Sequence, residues 1–337
     1  MLARVSSSGA RRWLRRLRAA SLTVVVLILL SAIVGAFYQA LARKRDAQRF
    51  PPRGKFVDVG GHKLSLNCTG QGTPTVILET GLGVLAVDWQ LVQPEIAKFT
   101  RVCSYDRAGY GWSDPGPMPR TSLQSARELH ALMQNAAEKP PFVLVGHSLG
   151  GLNVRIYNGM FPNEVAGMVL VDATNEDQVN VMSSNMKKIS DEYAKKFNAR
   201  MNFRIVLIQV GLARLMVPDQ DEDTILDLQP KFIEAVKSEA SSFAENANAA
   251  RAAGRLGDKP LIVLSAGKEK APPGGPTREF DDYHKIWVND LQVREAHLSS
   301  RGKQIIVPDS GHMIQDERPD TIISAVREIC GMINTTD

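Results

Sequence analysis

Phe142-Val143-Leu144-Val145-Gly146-His147-Ser148-Leu149-Gly150-Gly151-Leu152 decides how this chain folds. Four apolar residues in a row read as a short buried strand. The strand stops at Gly146, and a helical pattern begins by Leu149. Between them lies Gly-x-Ser-x-Gly. A sharp strand-to-helix turn needs small residues on both sides of the Ser, because side chains at Gly146 or Gly150 would collide across it. Such a turn lifts the Ser148 hydroxyl out of the sheet and aims a helix N-terminus at whatever it attacks. It also puts the Leu149 N–H where an oxyanion would form. By composition alone, this five-residue pattern would occur in roughly one of ten chains this long. The apolar strand before it and the amphipathic helix after it give it weight.

Strand and helix patterns alternate on both sides of this turn. Phe56-Val57-Asp58-Val59 and His62 to Cys68 flank Gly60-Gly61 and read as a hairpin. Val76 to Glu79 is a buried strand that runs into Thr80-Gly81-Leu82-Gly83, a loop whose glycines let backbone N–H groups face a ligand. The Leu82 N–H is the candidate second oxyanion donor. A helix over Trp89 to Phe99 and a strand over Arg101 to Tyr105 follow. The turn-rich Asp106-Arg107-Ala108-Gly109-Tyr110-Gly111-Trp112-Ser113-Asp114 then reads as a scaffold loop under the site. Val165 to Val171 is another apolar strand, closing on Asp172. This alternation argues for a mostly parallel sheet with helices on both faces, whose ligands sit at the carboxyl ends of the strands. Gly81, Ser148 and Asp172 all fall at such ends.

Residues 175–258 break the alternation with a helical, polar excursion. An apolar stretch, Met201 to Pro218, runs through its middle. An excursion of this length between strands is usually functional, and it reads as a lid. Alternation resumes at Leu261 to Gly267, then Lys268-Glu269-Lys270. A helix over Phe280 to Ser300 carries His284 and His297, both expected to be solvated. The last strand, Gln304 to Val307, opens onto Asp309-Ser310-Gly311-His312, and a helix from about Arg318 to Met332 closes the chain.

The N-terminal flank stands apart. Residues 1–55 hold twelve Lys/Arg against Asp46 alone, so a net charge of +5 for the 337-residue chain leaves the remainder at −6. The basic charge belongs to a flank, and no nucleic-acid-binding signature accompanies it. Within the flank, Leu22 to Ala42 carries no charge and is long enough to cross a bilayer as a helix. Six Arg precede it, which by the positive-inside rule holds the N-terminus in the cytoplasm and sends the rest across. A second basic cluster, Arg43 to Lys55, follows the span and can lie against anionic headgroups. Ala40-Leu41-Ala42 also fits a cleavage site, which makes a secreted protein the alternative. Of three cysteines, Cys68 and Cys103 fall on predicted strands where a bridge is conceivable. Buried free thiols are the expectation for all three, including Cys330.

A Ser hydroxyl needs a base, and the base needs a carboxylate to fix its tautomer. Of six His, only His312 ends a core strand in a loop. His147 adjoins the Ser, but its side chain must point away.

The chain order Ser, acid, His on alternating strands and helices resembles the alpha/beta-hydrolase family from roughly Phe56 to the C-terminus. The resemblance rests on Gly146-His147-Ser148-Leu149-Gly150-Gly151, Thr80-Gly81-Leu82-Gly83, Asp106 to Ser113 and Ser310-Gly311-His312. It implies an eight-stranded, mostly parallel sheet with helices on both faces and a cap after the sixth strand. The acid commonly follows the seventh strand, where Glu269 sits between two lysines. In some members it ends the sixth strand, which is Asp172 here. Asp172 is the expected acid, with Glu269 the alternative.

The expected organisation is a basic tail (1–21), a transmembrane anchor (22–42), a basic linker (43–55), a first core half (56–174), a cap (175–258) and a second core half (259–337). The resemblance implies a serine hydrolase of the esterase type. It would act on a carboxylic ester or related acyl bond, by way of an acyl-enzyme, with catalytic Ser148, His312 and Asp172. Leu82 and Leu149 would form the oxyanion hole. It implies no metal and no organic cofactor. The apolar lid and the anchor point to a hydrophobic ester. A tethered binding protein without turnover, or perhydrolysis or carbon–carbon bond hydrolysis by the same triad, are the alternatives.

Overall fold

The computed structural model describes residues 7–217, 221–269, 271 and 276–334. Lys270, the middle of the Ala271–Pro276 loop and the first six residues lie outside them. The described chain divides into two compact units, residues 1–51 with 200–230, and residues 52–199 with 231–337.

The larger unit is built on one eight-stranded sheet in the order β1-β2-β4-β3-β5-β6-β7-β8. The strands are β1 Lys55–Asp58, β2 Lys63–Thr69, β3 Thr75–Glu79, β4 Val102–Tyr105, β5 Phe142–His147, β6 Val165–Val171, β7 Leu261–Ala266 and β8 Gly302–Val307. β1 and β2 form the expected hairpin, and β2 runs antiparallel to β4. Every pairing from β4 to β8 is parallel.

Successive residues on the central strands pack into different layers, as the period of two requires. Ile77, Cys103, Leu144, Leu170 and Val263 join one apolar cluster. Val76, Val102, Val143, Val169 and Ile262 join the other. Both faces are covered, which is why these strands read as unbroken apolar runs rather than alternating ones.

Two sequence expectations are corrected here. Cys68 and Cys103 are bonded to each other, because the β2–β4 register sets them directly opposite; Cys330 is the free, buried thiol among the described residues. The helix expected over Trp89 to Phe99 is a 3-10 turn, Ala86–Leu91, and one helical turn, Gln93–Ile96. Pro94 falls in the first turn of the latter, where its missing N–H costs nothing but where a longer helix could not pass through it.

The smaller unit holds one helix, Ser7–Arg49, that runs without a break through the tail, the apolar span and part of the linker. It is long and apolar enough to cross a bilayer, and its most apolar 18-residue window has no buried residue. Its other part is residues 200–230: the end of the Ser184–Gln209 helix, then Leu212–Met216 and Glu222–Asp227.

Candidate active site

Ser148 follows β5 and caps the Leu149–Met160 helix with φ of 51° and ψ of −123°. A positive φ at a non-Gly residue is strained by about 1–3 kcal/mol. The neighbours that force it are visible. A Cβ at Gly146 would come within 2.6 Å of the Gly150 carbonyl oxygen, and one at Gly150 within 2.7 Å of the Glu79 and Thr80 carbonyl oxygens. The turn is braced on β6: the Ser148 N–H donates to the Val171 carbonyl at 3.1 Å, and the Thr174 N–H donates to the Ser148 carbonyl at 2.9 Å.

Asp172 also has positive φ, 40°, just past the end of β6. Its Oδ2 lies 2.6 Å from Nδ1 of His312. Its Oδ1 accepts from the Ala266 N–H at 3.0 Å and from Trp287 Nε1 at 2.9 Å. The carboxylate is buried, and the three donors aimed at it fix its orientation. Burial disfavours the charged form of His312, but the hydrogen bond and charge of Asp172 and the charge of Glu269 outweigh it. The His312 pKa is raised from the ordinary value.

Glu269 stands beside the pair without replacing Asp172. Ligating atoms of Asp172, Glu269 and His312 all lie within 4.8 Å of one another. Burial first, and then the Asp172 charge, push the Glu269 carboxyl up, while His312 pulls it down. By distance this triplet could also ligate a cation. The ion would first have to displace the Asp172–His312 hydrogen bond.

His147 points away from the cavity, as its place in the turn demands. Its Nε2 is 3.0 Å from the His312 carbonyl, so Nε2 carries the proton. Its Nδ1 is buried with no partner, and a Cβ at Gly81 would come 2.9 Å from it. Burial, then the nearby His312, drive the His147 pKa down to about 3. It stays neutral.

The loop after β3 approaches Ser148 from the other side: a Cβ on Gly81 would meet Ser148 Cβ at 3.0 Å. Buried Arg107 pins the loop through the Thr80 carbonyl at 2.7 Å and the Gly81 carbonyl at 2.9 Å. Its charge is met by Glu79 and Glu239, each at 2.9 Å. Tyr110 donates to Glu239 and accepts from the Gly83 N–H at 3.1 Å. The Asp106–Asp114 segment therefore scaffolds the loop. The Leu82 N–H has no acceptor among the described residues. The Leu149 N–H, in the first turn of its helix, has no carbonyl four residues back within that helix to pair with.

Ser148, Asp172, Glu269 and His312 open onto one cavity of about 350 Å³. Phe280, Tyr283 and Trp287 form its apolar wall, and His284 lines it too. His284 is half-buried rather than freely solvated: its Nε2 bonds to the Ala266 carbonyl at 3.0 Å. Trp287 and Glu239 carry support roles the sequence reading did not assign. Trp287 sits on a π-helical turn, Trp287–Leu291, that no apolar periodicity announces.

Comparison with known proteins agrees with this fold. A profile described as "Alpha/beta hydrolase family" matches residues 76–325. The uncharacterized protein YqjL of Bacillus subtilis is 24% identical over 260 residues, covering 77% of this chain and 85% of that protein. Among solved structures, the epoxide hydrolase CorEH superposes with a TM-score of 0.59 at 15% identity, over 82% of this chain and 97% of that one. A thermophilic esterase from Thermogutta terrifontis superposes with a TM-score of 0.54 at 20% identity, over 83% and 98%. At such identities the structural matches establish the fold alone.

Proposed function

The chain belongs to the alpha/beta hydrolase family, and we propose that it is a membrane-anchored serine hydrolase that cleaves a carboxylic ester or related acyl bond. The observation that carries this reading is the 2.6 Å Asp172–His312 contact in the same cavity as a strained Ser148. A nucleophilic Ser also separates it from epoxide hydrolysis, which in this family uses an Asp at that turn.

His312, its proton held on Nδ1 by Asp172, takes the Ser148 proton on Nε2 as Oγ attacks the carbonyl carbon. The Leu82 and Leu149 N–H groups receive the oxyanion. His312 then protonates the leaving alcohol, leaving Ser148 acylated. Water then attacks the acyl carbon, losing its proton to His312, and His312 returns that proton to Ser148 Oγ as the acid leaves. The wall of Phe280, Tyr283 and Trp287 favours a substrate with an apolar acyl or ring portion.

The apolar span of the Ser7–Arg49 helix is read as the anchor. The Cys68–Cys103 bond supports a catalytic unit on the extracytoplasmic side, since disulfides persist in oxidising compartments. That agrees with the six Arg that precede the span.

The test is labelling of the full chain with a fluorophosphonate probe, alongside Ser148→Ala and hydrolysis of nitrophenyl esters of increasing chain length. Labelling and turnover that both vanish in the variant are expected. A folded wild-type chain that does not label points instead to a tethered binding protein.

A further inference from the structure

The apolar cap stretch from Met201 to Val217 has no part in the chemistry above, yet it forms one side of the smaller unit. The anchor helix presents a seam to it: Ala32, Gly35, Gln39, Ala42 and Asp46, spaced three and four apart, lose exposure, as does Ala47 beside Asp46. At Gly35 the fit leaves no room, because a Cβ there would fall on the Val210 carbonyl, and one at Gly211 would meet the Gly35 carbonyl oxygen. Gly211 itself has φ of 72°, which reverses the chain between the two cap helices. Further along, Gln39 donates to the Leu228 carbonyl at 3.2 Å and accepts from Arg214 Nε at 3.3 Å. Arg214 ends in a two-pronged ion pair with Asp46, at 3.1 and 2.5 Å.

This register has a consequence for depth. Gly35 lies seven residues inside the Ala42 end of the apolar span, which at the helical rise is about 10 Å. The reversal at Val210–Gly211 sits beside Gly35, so it lies at that depth too. Asp46 lies four residues beyond the span, about 6 Å outside it. Between Ile205 and Val217 there is one charged residue, Arg214, and its side chain is buried and led outward to Asp46. Meanwhile Phe203, Val206, Leu212, Leu215 and Met216 are between 48% and 71% exposed. Monomeric soluble proteins rarely leave so dense an apolar patch to water.

We propose that the cap hairpin around Val206–Met216 is a second membrane element, immersed in the acyl-chain layer beside the anchor helix. Its ligand is the hydrocarbon of the bilayer. This proposal rests on the reading of the Ser7–Arg49 helix as a membrane anchor. The occupant follows from continuity: the hairpin's exposed side chains flank the same stretch of helix whose own exposed side chains, Val34, Phe37 and Leu41, face lipid in that reading.

The test uses the full chain with Cys330→Ala, so that an introduced cysteine is the single reactive thiol beside the Cys68–Cys103 bond. An environment-sensitive fluorophore is attached in turn at Val206→Cys, Leu215→Cys, Ile28→Cys and Lys98→Cys, and each protein is reconstituted into phosphatidylcholine–phosphatidylglycerol vesicles. Quenching by lipids carrying a nitroxide on the acyl chain is measured. Labels at Val206 and Leu215 should be quenched several-fold more than the label at the exposed Lys98 of the sheet-bearing unit, and comparably to the label at Ile28 in the span. Quenching at Ile28 without quenching at Val206 and Leu215 overturns the hairpin proposal and leaves the anchor standing; a hairpin packed on a second protein copy gives that result. No quenching at Ile28 overturns the anchor reading and the proposal with it.

Discussion

Trp287 donates its indole N–H to Oδ1 of Asp172 at 2.9 Å, on the oxygen that His312 does not use. A residue from a helix 115 positions away thus fixes which way the carboxylate faces. Trp287→Phe keeps the cavity wall and removes the donor. It is expected to lower kcat by about tenfold, in line with the ~1.5 kcal/mol of a hydrogen bond to a charged group, with KM for a short nitrophenyl ester nearly unchanged. Equal losses in kcat and in thermal stability would instead mark Trp287 as a packing residue.

Asp172 and Glu269 are separable by pH. His312 must be neutral to act as base, and its pKa is raised, so kcat/KM should fall as pH drops through a value above 6.5. Asp172→Asn removes the largest support for the cation and the tautomer lock. The acid limb should move down, and activity should fall about 10³–10⁴-fold. Glu269→Gln should move the limb down slightly and leave kcat within severalfold. The reverse ranking would make Glu269 the working acid. The same shift makes a stability statement. His312 stabilises the fold below its unfolded pKa, and that contribution is lost as pH rises through its folded value.

His147 gives the opposite sign. Its folded pKa of about 3 lies below the ordinary value of 6.5, so the unfolded chain takes up a proton that the folded one refuses. Stability should therefore decline as pH falls from about 6.5 toward 3, by up to ~1.4 kcal/mol per pH unit from this group. His147→Gln, whose amide can donate to the His312 carbonyl, should flatten that part of the denaturation profile. An unchanged slope would refute the assignment.

The Cys68–Cys103 bond closes 35 residues of chain between neighbouring strands. Replacing both by Ala is expected to cost about 2–4 kcal/mol of unfolding free energy. The readout is urea denaturation of the full chain in a fixed detergent, with and without reductant. If reduction leaves the wild-type midpoint where it was, the bond is absent from the mature protein.

Much of this site could be read from the chain because its parts sit where strands end. Ser148, Asp172 and His312 each follow an apolar run, and a run that stops at a Gly or Asp in such a sheet marks a carboxyl edge. The disulfide escaped because it depends on register: Cys68 and Cys103 meet only once β2 and β4 pair in one of several possible alignments. Trp287 and Glu239 escaped for a related reason. Each acts from a helix whose apolar pattern says which face is buried, but not which loop lies under it. The apolar run Leu22 to Ala42 reads from the sequence as a helix long enough to cross a bilayer, while its seam with residues 200–230 does not. That seam is written in small residues, Ala32, Gly35 and Ala42, which look like ordinary lipid-facing positions until the hairpin is in view.

The most direct measurement of the central claim is chemical. The full chain is mixed with excess nitrophenyl ester, quenched in acid while turning over, and mapped by peptide mass. An acyl adduct on the Ser148 peptide, accumulating in the wild type and absent from Ser148→Ala, is the predicted result. Sustained ester turnover with no adduct on Ser148, or with the adduct on another residue, would contradict the account.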